Sequence, residues 1–459
     1  MRYIPLLILT LLISCSSPKI AVDQKPNFII IYTDDQRYDA IGAMGKSPII
    51  TPNMDRLAAA SMIYQNAFVT LSICSPSRAA LLTGRYGSKN GVTIVGHPSI
   101  HETERLLPQI LKTNGYRTGL VGKWHLKNSP ESCGFDYFKY FYANGSYYER
   151  EVIEPDEKKN ISGYIEDYNI EQALEFIEGS RREAHPYFLF LCTQLPHMNN
   201  NLEWDVKPET RVLYDSVDIS IPGSYQDDLS GKPEYLKTSR SRTQALRYGY
   251  ADPDSLKRHK REYYSAVTEL DASFGRLVDY ILNGPIKEDT YFFLMGDNGW
   301  FLGEHSFTSK VLAYEESIRV PLLFGGPGIK SIKNNDMVLN IDIMPTILKL
   351  AGCELPDNLH GSTLAPTFNK SNSGFREFIY YEAPESQLGS YPQYAVRSKE
   401  WKLIQTYDPD HKNDLIYEEL YDLRADPFEL NNVAMNSEFQ AIKDGLSWWM
   451  EDYEDHLNK

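Results

Sequence analysis

Four stretches of strand length constrain this 459-residue chain more than any other feature. Asn27–Thr33 reads Asn-Phe-Ile-Ile-Ile-Tyr-Thr, a continuous apolar run, Tyr187–Thr193 and Asp289–Met295 are similar, and Tyr116–Val121 is a further strand. None alternates polar with apolar residues, so both faces of each strand are expected to be covered, as in the middle of a parallel sheet. Helical stretches lie between them. One opens at Thr51-Pro52 and runs to about Ala60, one is capped by Thr103 and stopped by Gly115, and others cover Glu166–Glu178 and Arg261–Leu282. Met62–Val69, Val320–Phe324 and a helix over Asp342–Ala351 continue the alternation. The pattern predicts an α/β domain with a large mixed, mostly parallel sheet flanked by helices.

After about residue 372 the pattern changes. Phe378–Glu382, Tyr394–Arg397, Lys402–Thr406 and Glu419–Leu423 follow one another without helices, predicting a small C-terminal antiparallel α+β subdomain that ends in a helix. Residues 126–165 and 199–257 show no period and are expected to be loops, the second an excursion over the rim of a site. The N-terminus is separate. Met1-Arg2 is charged, Ile4–Ile13 is apolar but too short to span a bilayer, and Leu12-Ile13-Ser14-Cys15 resembles a bacterial lipobox. This predicts a lipoprotein signal over 1–14, Cys15 as the lipidated terminus, a tether over 15–26, a catalytic domain over 27–371 and the subdomain over 372–459. A plain secretory signal is the alternative. The location expected is the cell envelope, with the membrane reached through the lipid anchor alone. The net charge of −15 argues against a nucleic-acid partner. Cys133, Cys192 and Cys353 are an odd remainder without metal-type spacing.

Polar clusters follow the strands. Asp34-Asp35, Lys123/His125, His197 and Asp297-Asn298 each stand just past the carboxyl end of a predicted core strand, where open α/β sheets bind ligands. Asp34, Asp35, Asp297 and Asn298 are hard oxygen donors suited to Ca²⁺, with Mg²⁺ as second choice. His125 and His197 form an acid–base pair, and Lys123 and Lys310 are anion clamps. Cys74 begins Cys-Ser-Pro-Ser-Arg-Ala-Ala-Leu-Leu-Thr-Gly. Ser75 suits a helix cap, Pro76 the first turn and Gly84 the left-handed stop. Cys74 then faces free N–H groups and Arg78, which would depress a thiol pKa. Taken alone, the stretch equally fits a small buried Cys before an ordinary helix.

The string Cys74-x-Pro76-Ser77-Arg78, with Thr83-Gly84 after it, resembles the signature of the type I sulfatases. A Cys-phosphatase loop needs Arg six residues after the Cys, where this chain has Ala80. The resemblance extends through Gly122-Lys123-Trp124-His125, Pro196-His197, Asp297-Asn298-Gly299 with Leu302-Gly303-Glu304-His305 and Lys310, Tyr314–Pro321, the Asp342–Ala351 helix, and Leu420-Tyr421-Asp422-Leu423 with Asp426-Pro427. It implies an alkaline-phosphatase-like fold and hydrolysis of sulfate esters. Residue 74 would be oxidised to formylglycine by a formylglycine-generating maturase, and would also face the cation held by Asp34, Asp35, Asp297 and Asn298. Arg78, Lys123, His125, His197 and Lys310 would surround it. In the implied mechanism the hydrated aldehyde attacks sulfur, His197 and Lys310 assist the departing alcohol, and His125 takes the proton whose loss expels sulfate. His305 is read as a group behind this site. His360, in His360-Gly361-Ser362 where relatives often carry Gln, is read as a substrate contact or as no part of the site.

The expected substrate is a sulfated carbohydrate, since the envelope and the Tyr-, Asn- and Asp-rich loops suit sugars. Two alternatives stay open. One is a phosphonate or phosphate-diester hydrolase on the same fold. The other is a lipid-anchored glycan-binding protein whose Cys74 is never converted.

Overall fold

The structure is a computed structural model and describes residues 25–457, apart from 46, 97 and 413. The lipobox and Cys15 therefore lie outside the described residues. Twelve strands belong to the larger part. They are β1 (Asn27–Asp34), β2 (Ser61–Phe68), β3 (Arg117–Lys123), β4 (Tyr137–Phe141), β5 (Tyr148–Ile153), β6 (Lys158–Tyr164), β7 (Tyr187–Pro196), β8 (Thr290–Gly296), β9 (Phe301–Leu302), β10 (Thr308–Ser309), β11 (Arg319–Gly325) and β12 (Ile332–Leu339). Ten form one sheet in the order β12-β2-β11-β8-β1-β7-β3-β4-β5-β6, and β9 pairs with β10. From β8 to β4 the strands run parallel. β11 enters antiparallel between β8 and β2.

The apolar runs take their place because each residue has a covered face to point into. Ile29 and Ile31 of β1 join Leu189, Leu191 and Leu294 under the helices Ile165–Arg182 and Pro253–Asn283. Phe28, Ile30 and Tyr32 join Phe188, Phe190 and Phe293 on the other face, beneath the helices Cys74–Thr83, Leu107–Thr113 and Ile343–Leu350. Burying each such side chain stabilises the fold by roughly 2 kcal/mol. β1 is also where the chain reverses its direction across the sheet, with β2 laid down on one side and β3 on the other. Four strands follow in a second sheet, β13 (Ile379–Ala383), β14 (Gln393–Arg397), β15 (Trp401–Tyr407) and β16 (Leu415–Asp422), all antiparallel, and the helix Gln440–Leu457 comes after them.

Several boundaries differ from expectation. Residues 126–165 hold β4, β5 and β6. These strands extend the sheet to its edge, where β5 and β6 leave one side to solvent and so carry charges that hide the strand pattern. The helix expected from Thr103 starts only at Leu107, because Pro108 fits a first turn and nothing deeper. The long helix begins at Pro253 instead of Arg261, capped by Asp252, whose carboxylate accepts from Ser255 N at 3.0 Å. Within 199–257 the chain makes short helical turns, including the helix Arg240–Arg247.

Candidate active site

The helix Cys74–Thr83 is capped by Ile73, so Cys74 is its first residue. Ser75 does not cap it. Its hydroxyl donates to His125 O at 2.6 Å and accepts from Gly96 N at 3.0 Å, tying the helix start to the end of β3. One turn on, Ser77 Oγ lies 2.7 Å from Tyr32 OH and accepts from Asn340 Nδ2 at 3.1 Å, which seats the helix on β1. At the far end Gly84 takes φ 66° and its N–H closes on Ala80 O, the left-handed stop that only glycine adopts cheaply. β3 approaches β7 closely at Gly122, where a Cβ would sit 1.9 Å from Cys192 O. That contact sets the next residue, Lys123, over position 74.

The strand ends converge as the sheet reversal at β1 requires. Cys74 Sγ lies 3.3 Å from Asp34 Oδ1, 3.1 Å from Lys310 Nζ and 3.7 Å from Lys123 Nζ. Lys123 also pairs with Asp34, and Lys310 with Asp35. Asn298 Nδ2 donates to Asp35 Oδ1 at 2.6 Å, and Asp35 N donates to Asp297 Oδ1 at 3.1 Å. Arg78 turns away from the sulfur. Its Nη2 meets Asp297 Oδ2 at 3.0 Å and its Nη1 donates to Lys123 O at 2.7 Å. His197 Nδ1 donates to Met198 O at 2.7 Å, leaving Nε2 3.7 Å from Asp35 Oδ2. His125 Nδ1 is buried with no hydrogen-bond partner among the described residues.

None of Asp34, Asp35, Cys74, Arg78, Lys123, Asp297, Asn298 and Lys310 is more than 3 % exposed, so their charges must be balanced by one another. Asp34, Asp35 and Asp297 face Lys123, Lys310 and Arg78, three against three. Burial alone would raise Asp34, but Lys123, His197 and Lys310 hold it well below the usual carboxylate range. Asp297 goes the other way, pushed up to about 7 by burial and by the charge of Asp34. Burial and Lys123 push His125 down to about 2, which keeps the imidazole neutral. The expectation of a depressed thiol pKa is not met. Burial and Asp34 push Cys74 up to about 12, outweighing both lysines, and Arg78 is spent on Asp297. An unmodified thiol here stays protonated at neutral pH.

Ligand atoms of Asp34, Asp35 and His197 lie within 4.8 Å of one another, as do those of Asp34, Cys74 and Asp297. Crowded buried carboxylates, one of them held at about 7, together with the Asn298 amide form an oxygen-rich donor set that fits a hard divalent cation. With such a cation the balanced site becomes net positive, which draws an anion into a chain of net charge −15.

Above Cys74 opens a cavity of about 220 Å³ whose lining, among the described residues, includes His125, His197 and Lys310 but no Asp or Glu. Its outer wall is the helix Arg240–Arg247, from which Arg240, Gln244 and the following Tyr248 face inward, with Trp300 and Asn144 beside them. Sequence reading passes over these residues. The available signal is the i, i+4, i+8 spacing after Ser239, whose hydroxyl accepts from Arg242 N at 3.3 Å as a cap. His305 and His360 are not in the lining. His305 Nδ1 meets Asp227 Oδ2 at 2.7 Å and its ring packs on Tyr314, so it touches none of the converging residues. His360 sits at the other end of the ten-residue helix, where its Nδ1 accepts from Tyr86 N at 3.2 Å and its N–H binds Gly84 O. It supports the helix stop, and the reading as a substrate contact is withdrawn.

Comparison with known proteins gives the same picture over nearly the whole chain. A family described as Sulfatase matches residues 26–353, and one described as N-sulphoglucosamine sulphohydrolase, C-terminal, matches residues 303–456. The chain is 28 % identical to an N-acetylglucosamine-6-O-sulfatase of Bacteroides thetaiotaomicron, over 96 % of this chain and 88 % of the relative. It is 27 % identical to an ulvan-active sulfatase of Formosa agariphila, over 97 % and 85 %. Among solved structures, a protein in complex with its substrate D-glucosamine-2-N,6-O-disulfate superposes with a TM-score of 0.84 at 25 % identity, over 95 % of this chain and 98 % of that one. With the first match spanning more than two thirds of its length, this chain belongs to the sulfatase family, hydrolases of sulfuric esters built on an alkaline-phosphatase-like fold.

Proposed function

We propose that the chain removes sulfate from a carbohydrate, with residue 74 as formylglycine. The observation that carries this reading is the cavity. Its lining includes Cys74 and Lys310, has no acid among the described residues, and offers Arg240, Gln244, Tyr248 and Trp300, which suit the hydroxyls and flat faces of a sugar. The names of the relatives, which act on sulfated amino sugars and ulvan, support the same substrate class. In the unmodified chain the Cys74 sulfur stands where the oxygen of the aldehyde hydrate would be. Asp34, Asp35, Asp297 and Asn298 would hold Ca²⁺. When bound, the cation supplies Lewis acidity toward the sulfate oxygens, and the formylglycine supplies an oxygen nucleophile.

The remaining work falls to side chains. Lys123 and Lys310 hold the sulfate oxygens where charge develops, and Arg78 orients Asp297 and favours its ionised form against burial. Lys310 delivers a proton to the leaving oxygen; His197, whose Nδ1–H is held by Met198 O, shares that role from Nε2 only as the imidazolium, the form that Asp35 and Asp34 favour against burial. Neutral His125 takes a proton from the residue-74 hydroxyl. The same reading includes the maturase as a partner and a Cys15 lipid anchor that holds the enzyme in the cell envelope.

The test joins two measurements on one preparation. Mass spectrometry of the peptide spanning residue 74 should find the aldehyde, and kcat/KM should be higher for a sulfated amino sugar than for an aryl sulfate. Full activity with an unmodified cysteine refutes the nucleophile. Inert saccharides beside a good aryl substrate refute the carbohydrate assignment.

A further inference from the structure

Lys310 stands on a loop that a chain of these residues would not adopt unaided. Ser309 has φ 76° and Val311 φ 83°. These are left-handed values, uncommon for any residue but glycine and an outlier for a β-branched one, and they persist only where the surroundings fix them. Here the surroundings are the C-terminal sheet, and one side chain from each of its four strands reaches this loop. Tyr381 of β13 donates its hydroxyl to Val311 O. Gln393 of β14 accepts from Ala313 N at 3.2 Å. Lys402 of β15 donates to Ala313 O at 3.2 Å. Glu419 of β16 accepts from Tyr314 OH at 2.7 Å, and Glu429 beyond it accepts from Glu315 N at 2.9 Å.

All five side chains are buried, and none lines the cavity. Lys402 also bridges Glu315 at 2.9 Å and Glu429 at 2.7 Å, so the charges carried inward are paired. Apolar side chains would fasten one sheet to a neighbouring domain at lower desolvation cost. A polar residue from every strand, aimed at successive groups of one loop, instead fixes the path of that backbone, because a hydrogen bond constrains position and direction where apolar contact does not. The loop so fixed delivers Lys310 Nζ to 3.1 Å from Cys74 Sγ.

We propose that the C-terminal sheet is a positioning device for Lys310, with Tyr381, Gln393 and Lys402 as its positioning residues. This rests on the reading of Lys310 as a group that assists the leaving oxygen. The sheet thereby acts in the reaction without touching substrate. If the loop relaxes, the ammonium moves off the leaving oxygen, and only substrates that need help with departure suffer.

The test uses the full chain with Gln393→Met, a near-isosteric change that removes one contact to the loop, and Tyr381→Phe, which removes the contact to Val311 O and also the hydroxyl's 2.9 Å bond to Ser72 Oγ, two residues before Cys74, so Gln393→Met decides where the two differ. On a sulfated saccharide, whose leaving alkoxide is a strong base, kcat should fall by about 10-fold or more with KM unchanged, whereas 4-nitrophenyl sulfate should change by less than about 3-fold. Hydrogen exchange over residues 309–314 should speed up by about 10-fold. Equal losses on both substrates, no loss on either, or unchanged exchange would overturn the proposal. Lys310→Met separates the two readings. If it slows both substrates equally, the leaving-group role fails, and faster exchange in Gln393→Met still reports the clamp.

Discussion

Arg78 offers the sharpest test of how the buried site is balanced. Arg78 and Asp297 are both fully buried and meet at 3.0 Å. At an effective dielectric of about 20, unit charges at that separation attract by roughly 5 kcal/mol. Replacing Arg78 by Met removes that attraction, and Asp297, already held at about 7 with Arg78 present, takes up a proton near neutral pH, so the loss of about 3–5 kcal/mol measured in comparable buried pairs is reached only where the carboxylate stays ionised. The variant also loses the donor to Lys123 O. Denaturant unfolding with a chelator present should therefore show Arg78→Met less stable by an amount that grows as pH rises above 7, up to about 3–5 kcal/mol. Adding Asp297→Asn removes the stranded charge, so at high pH the double variant should recover at least about half of that loss. Calcium should stabilise Arg78→Met more than the wild type, because in the variant the cation is the nearest remaining positive charge for Asp297. Turnover should fall by about 100-fold or more in the single variant. If Arg78→Met matches the wild type in stability, or if the double variant is less stable than Arg78→Met, the account of a charge-balanced core is wrong.

Three further outcomes follow from the same geometry. Asp297→Ala should abolish turnover and lower the calcium dependence of thermal stability, and full activity after exhaustive chelation, checked by elemental analysis, would refute the cation site. Arg240→Gln should raise KM for a disulfated amino sugar by about 10-fold while changing a monosulfated one by less than about 3-fold; equal effects on the two would deny Arg240 a contact with a second anionic group. Burial pushes Glu166 up to about 7, against the hydrogen bonds from Leu195 N at 3.0 Å and Gln194 N at 2.7 Å. An acid with a raised folded-state pKa stabilises the fold most when neutral, so its contribution is full below about pH 4.5 and lost as pH rises towards 7. Glu166→Gln should flatten that part of the stability–pH profile by about 3 kcal/mol, and an unchanged slope would refute the assignment.

Much of the fold is legible without coordinates because its signals are local. Apolar runs such as Asn27–Thr33 read as strands covered on two faces, and the polar groups at their ends then gather at one edge of the sheet. The Cys74–Gly84 string is legible for the same reason, since helix start, helix stop and the reactive side chain lie within one short segment. β4, β5 and β6 are not legible, because at the sheet's edge one side may stay polar and the alternation fades. The wall helix carrying Arg240 is hidden by its polar composition, and only the cavity it closes gives its spacing a meaning.

The electrostatics belong wholly to the tertiary structure. Sequence places a thiol beside a helix terminus and an Arg, and so lowers its pKa. Packing turns that Arg to Asp297, excludes water and raises the thiol instead. The pairing of Lys310 with Asp35 spans 275 positions, and the Tyr381 and Gln393 contacts to its loop span 70 and 80. Periodicity and capping are written in neighbouring residues. Desolvation, charge pairing and the path of a strained loop depend on which distant segments the chain brings together, and only the folded core decides that.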